Sequence, residues 1–253
     1  MLNDQHNIFE AVTSPYLHML RSKRTWTPIT PTAGKLYSGG EDVVHRALAL
    51  RCLEIPVGDF IEDATKGDLP ETEGCKTVLL DNIQDEIKHD IALNHAAKAH
   101  KVDAKLDASA QQICKAWIEE DAHPVLKAVT LERSVFFCLL PMLRRLGDTG
   151  LRSVSQDISG DEVTHVGVNS LVCKELGLEP GKRLDNLRKA TVDWVLNSLI
   201  GNESENRLLS YDFWMSSSDS LFEKGIAPNF QDTRRSRMPA FFECANSDLP
   251  TYA

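Results

Sequence analysis

The chain has 253 residues, enough for one well-buried core or at most two small domains. Its 28 Lys and Arg against 37 Asp and Glu give a formal charge of −9, which disfavours non-specific attraction to nucleic acid or to an anionic membrane surface. No apolar stretch approaches the roughly 20 residues that span a bilayer, and the first ten residues lack the basic-then-apolar order of a signal peptide, so a cytoplasmic protein with no membrane or nucleic-acid partner is expected.

Residues 1–40, with Pro28, Pro31, Gly34, Gly39 and Gly40, read as an irregular arm whose Trp26 and Tyr37 pack on the main body. A metal-binding bundle is expected over 41–177. Its first helix runs from about 41 to 65 with a kink at Pro56, and ends in the breaker cluster KGDLP at 66–70. The second spans roughly 71–101, where Val78, Leu79, Ile83, Ile87, Ile91 and Leu93 keep near-helical spacing. A shorter helix, about 108–121, stops before His123-Pro124. Then come 125–146, kinked at Pro141 and closed by GDTG at 147–150, and 151–177, with Gly177 as its C-cap. Helices near 183–200 and 206–223 and a tail complete residues 178–253. Strand-like alternation is nearly missing, so the fold class is all-α, built around a four-helix bundle with additional C-terminal helices. The six cysteines lie without any CxxC pair and read as buried thiols. The sequence holds no glycine-rich phosphate loop and no GxSxG elbow.

The chemistry is carried by a repeat: DEIKHD at 85–90 is echoed by DEVTHV at 161–166. Residues three apart share a helix face, so Glu86/His89 and Glu162/His165 each project a carboxylate and an imidazole to one side. Both pairs sit in apolar helices, where an unpaired charge is costly. A carboxylate-bridged dinuclear site needs one more Glu from each of two further helices. In an antiparallel pair, residues at equal depth are equally far from the connecting loop. For Glu162 and Glu132 the midpoint is Gly147, and for Glu86 and Glu54 it is Pro70, both in breaker clusters. Glu62 in place of Glu54 moves the midpoint to Gly74, which requires a late start of the second helix. The proposed ligands are Glu54, Glu86, His89, Glu132, Glu162 and His165. Four carboxylates and two imidazoles suit two divalent ions such as Fe/Fe or Mn/Fe, and two such ions side by side can deliver the electrons that cleave dioxygen, the expected co-substrate.

The order Glu, Glu-x-x-His, Glu, Glu-x-x-His across 54–165 resembles the ferritin-like superfamily of dinuclear carboxylate proteins. Within it, EIKHDIALNH with His95 six residues after His89, LERSVFF and DISGDEVTH are similar to the small subunit of class I ribonucleotide reductase. That resemblance implies that Asp161 hydrogen-bonds His89 and helps relay an electron from a tryptophan, Trp26 by chain order. No such role is derived for Asp85, which is expected to be solvated. The sequence departs from that family in three ways. Leu93 stands where the radical tyrosine would lie, a feature of Mn/Fe members that store the oxidising equivalent on the metals. Only 43 residues separate His89 from Glu132, closer to ferritins and oxygenases, and the chain is short. Tyr252 is the candidate for a tail tyrosine that passes the radical to a large subunit.

Two functions follow as expectations. The first is an oxygenase or oxidase acting on a small-molecule substrate, with Leu93, Phe136 and Phe137 as walls of an apolar pocket. The alternative is the radical-generating small subunit of a ribonucleotide reductase, whose partner is the large subunit. Either needs an electron-donor protein, and the apolar content of the first two helices suggests a homodimer. Iron storage fits less well, given roughly 75 residues beyond the last metal helix.

Overall fold

The computed structural model describes residues 14–202 and 205–223. Among these every regular element is helical, in agreement with the all-α expectation. The helices are α1 (Pro15–Ser22), α2 (Glu41–Ala49), α3 (Glu54–Lys66), α4 (Cys75–Ala99), α5 (Ala104–Glu119), α6 (Pro124–Thr130), α7 (Phe137–Leu146), α8 (Thr149–Glu175), α9 (Lys182–Leu196) and α10 (Tyr211–Glu223). Helices α3, α4, α8 and α6 pack in a closed ring, each against the next, with α7 continuing from α6 along α8. No helix is long and apolar enough to cross a membrane among the described residues. Tyr252, Cys244 and the basic run 233–237 lie outside those residues.

Three local expectations need correction. The arm is not wholly irregular, because α1 forms within it: Ser14 accepts the Tyr16 backbone N–H as N-cap, and Pro15 occupies the first turn. Proline there is not a breaker, since its missing N–H would have had no partner in any case. The break in the first long helix falls not at Pro56 but one turn earlier, as a 3-10 segment over Leu50–Leu53. Pro56 sits in the first turn of α3, and the Cys52 carbonyl that it cannot engage accepts instead from the Cys114 thiol of α5 at 3.3 Å. Finally, the expected helix 125–146 is not continuous α-helix: Pro141 lies inside α7, and α6 and α7 are joined by a π-helical segment, Leu131–Phe136, which carries Glu132. Such segments insert one extra residue per turn and re-aim the side chains they hold. The Ser134 carbonyl within it accepts from Ser218 Oγ of α10 at 2.6 Å, so the C-terminal helices brace this segment from outside.

The ends of α8 behave as read from the sequence. Asp148 caps its N-terminus by accepting the Leu151 N–H at 2.8 Å. Gly177 takes a left-handed φ of +65° while Leu178 N–H reaches back to the Cys173 carbonyl at 2.8 Å, closing the last turn in the way glycine favours. The arm lies along the bundle: Tyr37 N–H donates to the Leu146 carbonyl at 2.9 Å, His95 Nδ1 lies 3.2 Å from the Ile29 carbonyl, and Trp26 and Tyr37 both pack against the core. All five cysteines described are free thiols.

Candidate metal centre

The ring of helices brings all six predicted ligands together in its interior. Glu54 comes from the first turn of α3, Glu86 and His89 from α4, Glu132 from the π-helical segment, and Glu162 and His165 from α8, and each is at most 2 % exposed. Gly58 on α3 faces the Glu86 side chain, so α3 and α4 are closely apposed beside the site. Glu62 is exposed and pairs with Lys66 on the surface; of the two candidates on the first helix, Glu54 is the one that faces the cluster.

The two imidazoles face one another with ring centroids 5.6 Å apart. Glu86 places Oε2 3.4 Å from His89 Nδ1 and Oε1 2.9 Å from His165 Nδ1. Glu162 does the same, with Oε1 3.3 Å from His89 Nδ1 and Oε2 3.8 Å from His165 Nδ1. These two carboxylates therefore span both rings. Glu54 Oε2 lies only on the His89 side, at 3.6 Å, and Glu132 Oε1 on the His165 side, at 4.0 Å. Ligand atoms of Glu86, His89, Glu162 and His165 lie within 4.8 Å of one another, and this buried group could hold a metal ion.

The polar atoms themselves are of the kind that could hold a cation. Glu54 Oε2, both oxygens of Glu86, both of Glu162 and Nδ1 of each histidine are buried without any hydrogen-bond partner. A buried polar atom left unpaired costs about 1–3 kcal/mol, and these seven converge within ion-pair reach of one another, where protons or a shared cation would offset that cost. The second nitrogen of each ring explains why Nδ1 is left free. His89 Nε2 lies 3.2 Å from Asp161 Oδ2, and His165 Nε2 lies 3.2 Å from Asp85 Oδ2. An aspartate at that position holds the proton on Nε2 and turns the Nδ1 lone pair inward.

This corrects the expectation for Asp85. It is not solvated but 3 % exposed, and it stands to His165 as Asp161 stands to His89. Each Asp-Glu-x-x-His motif supplies the aspartate for the other motif's histidine, so the two copies are structurally equivalent at all three residues. Sequence spacing could not show this, because Asp85 and His165 meet only across the α4–α8 interface. The one available signal was the equivalence of the two motifs.

Around the cluster, Trp26 donates its indole N–H to Asp161 Oδ2 at 2.6 Å and stacks on His89 with centroids 6.0 Å apart. Asn169, one turn beyond His165, was not singled out by the sequence; its Nδ2 donates to both oxygens of Glu132, at 3.0 and 2.7 Å. Leu93 lies one turn past His89 and Phe136 four residues past Glu132, both buried in the apolar core, while Phe137 is only half-buried. His95 holds the arm and is not a ligand.

Without a metal the cluster stores protons. Burial pushes Glu54 up to about 8. Burial, with the neighbouring Glu162 charge, holds Glu132 well above the usual carboxylate range, and burial beside Glu86 also raises Glu162. Burial opposes charging of His165, yet the facing carboxylates, Glu86 first, hold it up at about 10. Burial likewise opposes charging of His89, which the surrounding acids, led by Asp161, hold well above its ordinary value. Glu86 is the group held down, to about 2, where the charge of His165 outweighs burial. Metal binding must expel protons from the imidazoles and raised carboxylates, so affinity rises with pH. Titrations between about pH 6 and 9 are expected to show about tenfold tighter binding per pH unit for each proton released, and a pH-independent affinity would contradict this proton load.

No protein-family model matches the chain, and no curated protein matches it.

Proposed function

We propose that this chain is a ferritin-like dinuclear-metal oxidoreductase that activates dioxygen, with iron at both positions or manganese and iron at one each. The observation that carries the reading is the box of two spanning carboxylates, two terminal carboxylates and two inward Nδ1 atoms. An all-oxygen and imidazole donor set suits iron or manganese and offers no thiolate to favour zinc or copper(I). Two ions held there would supply the electrons for reducing dioxygen. The chain's own residues would do the rest: Glu86 and Glu162 would hold both ions, Asp85 and Asp161 orient the imidazoles, and the packed helices exclude water. Anaerobic loading with ferrous iron, or ferrous iron and manganese(II), should give about two ions per chain and a centre that oxygen oxidises. Stoichiometric zinc alone, or no metal, sinks the reading.

Of the two functions that this chemistry allows, an oxygenase or the radical-generating subunit of a ribonucleotide reductase, a specific observation favours the second. Trp26, Asp161 and His89 form a continuous hydrogen-bonded path from the arm to a ligand, of the kind that moves an electron and not a substrate. Trp26→Phe keeps the ring and removes the N–H. In a mixture with the large subunit of a class I ribonucleotide reductase, this variant should lose nucleotide reduction while retaining its metal. Substrate oxidation by the chain alone, unaffected by Trp26→Phe, points instead to the oxygenase.

A further inference from the structure

The extended segment after α1 crosses α4 and α8 directly above the ligands, and two of its residues, three apart, each take one of the paired aspartates. Lys23 forms an ion pair with Asp85, and Trp26 donates to Asp161. Between them the Arg24 guanidinium lies against Gly160, where a Cβ would obstruct it. The box beneath is nearly symmetric, with the same motif and the same 3.2 Å aspartate–histidine separation on both sides. The strap is not symmetric. Asp85 takes two ammonium groups, that of Lys23, which it shares with the exposed Asp81, and that of Lys88, whereas the strap gives Asp161 a neutral N–H.

The side chains of Lys23 and Asp85 are only 9 % and 5 % exposed, so water and salt screen this pair far less than a surface one. An aspartate whose charge is offset draws less on the imidazole N–H, which makes the opposite nitrogen a weaker donor to a metal. The ammonium charges also repel a cation at the His165 position. A second asymmetry has the same sign. Both oxygens of Glu132 accept from Asn169, while Glu54 Oε2 has no partner; an ion beside His165 must therefore compete with an amide, and an ion beside His89 need not.

We propose that the strap and Asn169 make the two metal positions unequal: the position built on His89 and Glu54 fills first and holds its ion more tightly, and Lys23 is a positioning residue that weakens the position built on His165 and Glu132. This rests on the dinuclear reading above. An unequal pair is what a mixed-metal centre requires, because the tighter position can be occupied by one ion before the other arrives.

Anaerobic titration of the full chain with manganese(II), followed by calorimetry, tests the proposal without any turnover. The expected result is two separated steps. Glu132→Ala retains the tight step and Glu54→Ala loses it. Lys23→Met tightens the weak step about tenfold and leaves the tight step in place, while Lys23→Arg, which keeps the charge, reproduces the parent titration. Because Lys23 also bonds Asn82 at 3.0 Å, the Arg variant and the unmoved tight step separate the loss of charge from a loosened strap. A single step for two equal sites, a weak step that Lys23→Met does not move, or a tight step that survives Glu54→Ala overturns the proposal. Failure to bind either manganese(II) or ferrous iron overturns the dinuclear reading itself.

Discussion

Replacing Glu162 by Ala is expected to remove both metal ions, not one. Each of its oxygens faces a different imidazole, at 3.3 and 3.8 Å, so its loss opens both positions at once and returns the repulsion between two cations that it shared. Glu86→Ala should do the same for the same reason. Glu132→Ala, which touches only the His165 side, should retain about one ion per chain. Metal analysis after gel filtration reads this directly, and a Glu162→Ala protein that keeps one ion at the parent affinity contradicts the spanning geometry. The stability readout runs the opposite way to that of an ordinary core substitution. Burial beside Glu86 disfavours the Glu162 charge in the metal-free protein, so Glu162→Gln, which keeps the volume, should leave the metal-free melting temperature unchanged or higher. The rise in melting temperature on adding metal should vanish with it. For the parent, free ion at a hundred times Kd stabilises the folded state by about 2.7 kcal/mol.

Asp85→Ala and Asp161→Ala are each expected to weaken metal binding at one position by about 10- to 100-fold, the usual cost of losing the group that orients a ligating histidine. The two should not affect the same position. Asp161→Ala frees the His89 ring and leaves Trp26 without its acceptor. Asp85→Ala frees the His165 ring and leaves the Lys88 ammonium without this partner and that of Lys23 paired only with Asp81, both beside the cluster, so its effect should be the larger and the more salt-dependent. Anaerobic titrations of the two variants at low and high ionic strength make the comparison. Equal losses at both positions from either variant would mean that the crossed pairing does not hold in solution.

The crossed pairing also marks where local spacing stops being informative. Within one helix, residues at i and i+3 must share a face, so Glu86 with His89 and Glu162 with His165 were fixed by the sequence. The two terminal glutamates followed from equal distance to a loop, which depends only on antiparallel packing. Their depth did not depend on where each helix begins, which is why Glu54 and Glu132 are found in the cluster although the first helix breaks at 50–53 and the third passes through a π-helical turn. Those irregularities themselves were hidden. Proline chemistry draws attention to Pro56 and Pro141, whereas the non-α segments lie at 50–53 and 131–136.

What the sequence by itself determined, then, is the all-helical class, the six acidic and imidazole side chains, and the pairing of Asp161 with His89 and Trp26, which came through resemblance. What only the tertiary structure decided is how the two halves are joined. Asp85 reaches His165 across the α4–α8 interface, Asn169 takes both oxygens of Glu132, and Lys23 reaches Asp85 from an arm that is more than fifty residues distant in the chain. These contacts link residues on different elements, whose meeting depends on helix crossing and on the path of an extended strand of chain. Neither leaves a periodic trace in the sequence, and so the asymmetry that the strap imposes on a symmetric pair of motifs became visible only once the helices were packed.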